Sequence, residues 1–149
     1  MQSFNRPTIQ GLIHSCTKIQ KACAKAGQFG ILNINPSSGK SNFADIQTCY
    51  SEFIDELNHL AVRESRYTCI SQDLVDAKKV IILQIIEIHG IKCGSPLTHF
   101  LFHLSEECIE VACALNLGQF DEFWMEAIDV VASMDLLTAE FNKLQHGNG

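Results

Sequence analysis

Two short segments in the last third of the chain carry carboxylates at helical spacing. The first reads Glu-Glu-Cys-Ile-Glu from Glu106 to Glu110, and the second reads Glu-Ala-Ile-Asp from Glu126 to Asp129. Residues three and four apart share a face of an α-helix, so each segment presents its carboxylates together. Like charges at this spacing repel each other, and a buried helix keeps them only with compensation. Hard oxygen ligands on two adjacent helices suit Mg²⁺ or Mn²⁺.

The helices that carry these acids are apolar over most of their surface. At about 100° per residue, the polar side chains of the first helix fall in one arc of roughly a third of its circumference. They are His99, His103, Glu106, Glu107 and Glu110. The second helix has one narrow polar strip, formed by Glu126, Asp129, Ser133 and Glu140. A surface helix normally shows the opposite proportions, so both helices are expected to be buried on most sides.

Helices are the elements that must position these acids. Hydrophobic periodicity and capping residues predict five of them, over residues 8–25, 43–62, 71–89, 96–117 and 121–144. Gly27 is expected just past the end of the first helix. Residues 80–86 are β-branched enough for a buried strand. Helix is favoured there because no second strand-like segment exists to pair with it.

The paired acidic pattern resembles the motif of a known hydrolase family. The sequence EExxE, a gap, and then ExxD is similar to the paired motif of MazG-like and dimeric dUTPase-like pyrophosphohydrolases. The lead-in from His99 to Ser105 is similar too, as is the helix end at His89-Gly90. The resemblance covers about residues 71–141, and the acidic motif is its specific part. It implies an all-α bundle of about five helices with a four-helix MazG-like core.

The resemblance also implies an activity and a set of site residues. The reaction is Mg²⁺-dependent hydrolysis of a nucleoside triphosphate between the α- and β-phosphates, with Mn²⁺ as an alternative ion. The implied metal ligands are Glu107, Glu110, Glu126 and Asp129. Glu106 and Glu107 are the implied catalytic residues, with Glu106 orienting the site or helping to activate water. Non-canonical nucleotides are the implied substrates, in a house-cleaning role.

The resemblance defines the substrate contacts less fully. Family members continue into a further helix that carries Lys, Arg or Asn. This chain offers Asn142 and Lys143 there, and His103 lies beside the acids. The side of the substrate site that this further helix forms in the family could be supplied here in two other ways. One is a second subunit, and the other is the first helix with its three lysines, Lys18, Lys21 and Lys25.

Composition limits the class of protein. The chain has 149 residues and a net charge of −6, and its eleven Lys and Arg form no dense cluster, which disfavours a nucleic-acid partner. We expect one domain over residues 1–149, with an N-terminal helical extension over 1–70 and the MazG-like core over 71–144. With no secretory signal and no long apolar run, we expect a cytoplasmic protein without a membrane partner. The apolar faces of the last two helices predict a homodimer or homotetramer.

Two other patterns and one rival function are alternatives to this interpretation. Residues 34–41 nearly match a P-loop, but Ile34 stands where the motif needs Gly, so a plain loop is expected. His99 and His103 at i,i+4, together with Glu107, offer a ligand set for zinc or another transition metal. The rival from another class is a non-catalytic helical interaction or regulatory protein whose acids are structural or whose site has decayed.

Overall fold

The computed structural model describes residues 5–63, 70–92 and 94–146. Most of these residues lie in five α-helices: α1 (Arg6–Phe29), α2 (Asn42–Arg63), α3 (Gln72–His89), α4 (Pro96–Asn116) and α5 (Phe120–His146). The prediction of an all-α fold is confirmed, since the described residues contain one isolated bridge, Ile34 with Ser41, and no strand. Residues 80–86 are helical, as favoured over the strand alternative.

Short polar side chains begin three of the helices. The Asn5 side chain caps α1 by accepting the Thr8 N–H at 2.9 Å. Ser71 and Ser95 cap α3 and α4 in the same way, and each accepts the N–H three residues further on. These bonds satisfy donors that the start of a helix leaves without an intrahelical partner. The predicted starts of α3 and α4 are therefore confirmed.

The end of α1 differs from its prediction. Gly27, expected just beyond the helix, lies inside it, and α1 continues to Phe29. The helix ends at Gly30, which has a φ of 98° and donates its N–H to the Ala26 carbonyl. An interior glycine costs about 1 kcal/mol relative to alanine. Ala26 on the same turn is buried in the core, and the helix passes through Gly27 and ends at a glycine with positive φ.

The α4–α5 pair forms the centre of the bundle. A short turn over residues 117–119 reverses the chain, so the two helices run antiparallel. α1 packs against α4, α2 against α1, and α3 against α5. α2 also meets α5 where the rings of Phe43 and Phe141 stack, with centroids 3.8 Å apart. Buried apolar residues from all five helices form one hydrophobic core, in which α1 joins the three helices of residues 71–144.

One face of α3 is apolar and exposed. Only Val75 and Ile82 of α3 are buried. Four large apolar residues recur along another face, with 47 to 75% of each exposed: Leu74, Ile81, Ile85 and Ile88. We call these four residues the α3 strip. Among the described helices, none combines the length and apolar character needed to cross a lipid bilayer.

Candidate metal centre

The four acids predicted as metal ligands converge in the groove between α4 and α5. Glu107 and Glu110 lie on α4, and Glu126 and Asp129 lie on α5. One carboxylate oxygen from each lies within 4.8 Å of the others. We call these four residues the carboxylate cluster. The i,i+3 spacing places each pair on one helix face, and the antiparallel packing brings the two faces together.

The cluster contains buried carboxylate oxygens that lack a hydrogen-bond donor. Glu107 is the most buried of the four residues, with 7% of its surface exposed. Within the described part of the chain, Oε2 of Glu107 and Oε2 of Glu126 are buried and have no hydrogen-bond partner. Burying a charged oxygen without a partner is costly. A bound cation would supply the missing partner for both.

The spacing of the cluster is close to that of a magnesium site. Because an Mg–O distance is about 2.1 Å, two ligands of one ion lie at most about 4.2 Å apart. The four oxygens all lie within 4.8 Å of one another, so small rotations of the glutamate side chains would bring them to the spacing of an ion site. Carboxylate ligands suit Mg²⁺ or Mn²⁺ better than metals that prefer thiolate or imidazole. The residues present therefore fit the predicted cation.

Burial, together with crowding by neighbouring acids, raises the pKa values of Glu126 and Glu107. Burial raises the pKa of Glu126 to about 9, and contacts with Glu110 and the charge of Asp129 add to the effect. Burial also raises the pKa of Glu107, although a hydrogen bond from His103 partly offsets the rise. The metal-free cluster therefore retains a proton at neutral pH. A divalent cation would displace that proton, because metal binding requires the ionised carboxylate.

Lys78 of α3 reaches the cluster from the side. Its Nζ lies 3.2 Å from Oδ1 of Asp129. We did not predict this contact from the sequence, since no spacing rule relates a residue of α3 to one that lies fifty positions later. Among the described residues, Lys78 forms the one lysine ion pair with the cluster, and its single charge leaves negative charge in excess even though the cluster retains a proton.

His103 links the two helices next to the cluster. It lies one turn before Glu107, and its Nε2 is 3.1 Å from Oε1 of Glu107. Its Nδ1 is 2.9 Å from Oγ of Ser133 on α5. The ring of His99 stacks on that of His103, with centroids 6.3 Å apart, and burial lowers the pKa of His99. His103 therefore contacts Glu107, which is one of the predicted metal ligands. Its own two ring nitrogens are both hydrogen-bonded, so His103 is not counted in the carboxylate cluster.

Three other predicted site residues lie outside the cluster. Glu106 follows the same helix as Glu107 but is exposed. Asn142 and Lys143 lie near the end of α5, about 20 Å beyond Asp129 along the helix axis at 1.5 Å per residue. Asn142 lines a separate surface cavity of about 450 Å³. The structure therefore does not bring Asn142 or Lys143 to the carboxylates.

The alternative phosphate contacts on α1 lie elsewhere. Lys18, Lys21 and Lys25 line a cavity of about 380 Å³ beside α2. This cavity has no lining residue in common with the carboxylate cluster. Lys18 also forms an ion pair with Glu52 of α2. Among the lysines that the structure describes, Lys78 is therefore the one that forms an ion pair with the acids.

Comparisons with protein-family models, curated proteins and solved structures give no match to this chain. The resemblance to MazG-like pyrophosphohydrolases consequently depends on the sequence motif. The independent structural observation is the geometry of the carboxylate cluster.

Proposed function

We propose that this protein is a Mg²⁺-dependent nucleoside triphosphate pyrophosphohydrolase, which converts a nucleoside triphosphate into a monophosphate and pyrophosphate. The observation that supports this function best is the convergence of Glu107, Glu110, Glu126 and Asp129, with buried oxygens that lack donors. Mn²⁺ has the same preference for oxygen ligands and is the expected substitute. Non-canonical nucleotides are the proposed substrates, following the sequence resemblance.

Each group around the cluster has a proposed part in this reaction. The four carboxylates hold the cation in the groove, and Lys78 binds an oxygen of the polyphosphate. When bound, the cation supplies neutralisation of the phosphate charge and activation of water. Glu106, exposed beside Glu107, is available to orient that water. Without a cation the groove repels a triphosphate, because among the described residues the charge of Lys78 does not balance the ionised acids of the cluster.

The α3 strip supports the predicted self-association. Its four side chains leave on the order of 400 Å² of apolar surface exposed, as large as the biggest patch on a typical monomer. A two-fold axis beside α3 would pair the strip with its own copy, because an isologous interface uses the same patch on both subunits. We therefore propose a homodimer or homotetramer in which α3 contacts a second copy of this chain.

Pyrophosphate release tests the proposed reaction directly. The assay uses a panel of canonical and modified NTPs and dNTPs with Mg²⁺ or with EDTA. We expect release only with Mg²⁺, and a loss of at least a hundredfold in Glu107→Gln, which keeps the size of the side chain. Glu87→Gln, an exposed glutamate of α3, is the matched control and should retain activity. Release in EDTA, or full activity of Glu107→Gln, would contradict the proposal.

The runner-up function is a non-catalytic interaction or regulatory protein. The exposed α3 strip is the observation that favours it, since apolar surface of this kind also serves protein partners. The same assay separates the two functions. Cation binding without pyrophosphate release from any nucleotide of the panel would favour the runner-up.

A further inference from the structure

We propose that His103 and Ser133 are positioning residues, which together hold the carboxylate of Glu107 in the orientation that binds the cation. This inference depends on the proposed function, because it concerns the same metal site. It assigns a role to a hydrogen-bonded chain that runs from Ser133 on α5, through the His103 imidazole, to Glu107 on α4.

The partners of His103 determine which nitrogen carries the proton. Cation binding requires Glu107 to be ionised, and an ionised carboxylate accepts hydrogen bonds and cannot donate one, so in the cation-bound site the 3.1 Å contact with Glu107 requires a proton on Nε2. In a neutral imidazole, Nδ1 is then an acceptor. The Ser133 hydroxyl, 2.9 Å away, is the donor that this acceptor requires. The chain therefore selects one tautomer, with Ser133 donating to His103 and His103 donating to Glu107.

This arrangement divides the two oxygens of Glu107 between two tasks. Oε1 accepts the hydrogen bond from His103. Oε2 is buried without a hydrogen-bond partner among the described residues, which leaves it for the cation. His103 itself is not a ligand in this arrangement, because Nε2 carries a proton and the lone pair of Nδ1 accepts from Ser133. Glu107 should therefore bind the ion through one oxygen only.

The same chain ties together the two helices that supply the ligands. Ser133 is fully buried, and it lies one turn after Asp129 on α5. His103 lies one turn before Glu107 on α4. A hydrogen bond between Ser133 and His103 therefore fixes the register of α4 against α5 beside the cluster. Groups that hydrogen-bond metal ligands typically contribute ten- to a hundredfold to metal affinity.

Two variants at position 103 separate positioning from simple packing. In His103→Gln the amide nitrogen reaches as far as Nε2, so it keeps a donor for Glu107. In His103→Asn the shorter amide reaches only as far as Nδ1, so it loses that donor. We expect Mn²⁺ affinity, measured by electron paramagnetic resonance titration, to fall at least tenfold in His103→Asn and less than threefold in His103→Gln. Equal losses in the two variants would overturn the proposal.

The tautomer is a second readout, which does not depend on activity. Nitrogen-15 NMR of the Mg²⁺-bound protein should show His103 as a single Nε2–H tautomer, assigned by its absence in His103→Gln. Ser133→Ala should give a mixture of tautomers and about tenfold weaker Mn²⁺ binding, while far-UV circular dichroism confirms that the variant is folded. An unchanged tautomer and affinity in Ser133→Ala would refute the positioning role. Failure of the wild-type protein to bind Mn²⁺ would instead refute the metal site.

Discussion

Lys78 of α3 forms an ion pair with Asp129 of α5, with Nζ and Oδ1 separated by 3.2 Å. Asp129 is also one of the four residues of the carboxylate cluster. The contact therefore joins the flanking helix α3 to the proposed metal site. In the metal-free protein, the ammonium group of Lys78 pairs with Asp129, and a bound cation would compete with it for the same carboxylate. In the proposed reaction, a bound cation would replace Lys78 at Asp129 and leave the lysine to contact a phosphate.

Lys78→Gln should change the two binding steps in opposite directions. Removing a competing positive charge should tighten Mn²⁺ binding about three- to tenfold, because a nearby ion pair of this kind is worth on the order of 1 kcal/mol. The KM for the nucleotide should rise, since a phosphate contact is lost. Lys79→Gln is the matched control, because Lys79 pairs with Asp76 and Asp135. Unchanged Mn²⁺ affinity in Lys78→Gln would show that the ion pair does not compete with the metal.

Binding of the cation should stabilise the fold. At a Mg²⁺ concentration one hundred times its Kd, linkage contributes about 2.7 kcal/mol, which corresponds to a rise in Tm of about 5–10 °C for a domain of this size. Asp129→Asn should lose most of this rise. Asp135→Asn, on the same helix but outside the cluster, should keep it. A similar rise in both variants would place the metal elsewhere.

The pH dependence of stability should reflect the raised pKa of Glu126. This pKa rises from an ordinary 4.5 to about 9 in the folded, metal-free protein. Between these values the folded state binds a proton that the unfolded state has released, so the free energy of unfolding should fall as pH rises. Urea unfolding in EDTA at pH 6 and pH 9 measures this decrease in the free energy of unfolding. The decrease should be smaller in Glu126→Gln, which has no carboxyl group to titrate at this position.

Cation binding should reverse part of that pH dependence. Because Mg²⁺ displaces the proton from the cluster, the stabilisation by Mg²⁺ should be larger at pH 9 than at pH 6. The same urea experiment with saturating Mg²⁺ gives this comparison. Equal stabilisation at the two pH values would mean that no group of the cluster changes protonation on binding.

The α3 strip should mediate contact with a second copy of the chain. Ile85→Glu places a charge within the strip and should shift the wild-type oligomer toward a smaller species in sedimentation velocity. Leu83→Glu is the control, because Leu83 is similarly exposed but lies on a different face of α3. A monomeric wild-type protein, or equal dissociation by both changes, would argue against this interface.

The all-α fold and the meeting of the two acidic segments could be predicted from the residue pattern of the sequence, and the resemblance to MazG-like pyrophosphohydrolases then singled out Glu107, Glu110, Glu126 and Asp129 as the ligands. Both depend on local regularities: apolar residues at a period of 3.6, and acids three apart on one helix face. The four predicted ligands lie on two helices that are adjacent in the chain, and only a short turn separates them. The sequence therefore carried enough information to place Glu107 and Glu110 opposite Glu126 and Asp129.

Contacts between residues far apart in the chain were decided by the tertiary structure. The pairing of Lys78 with Asp129 depends on where α3 docks on α5, and the bond between His103 and Ser133 depends on the register of α4 against α5. The exposure of Glu106 depends on the rotation of α4 about its axis, since Glu106 and Glu107 are adjacent in sequence and differ by about 100° around the helix. Docking, register and rotation follow from packing of the whole core, which no short segment encodes.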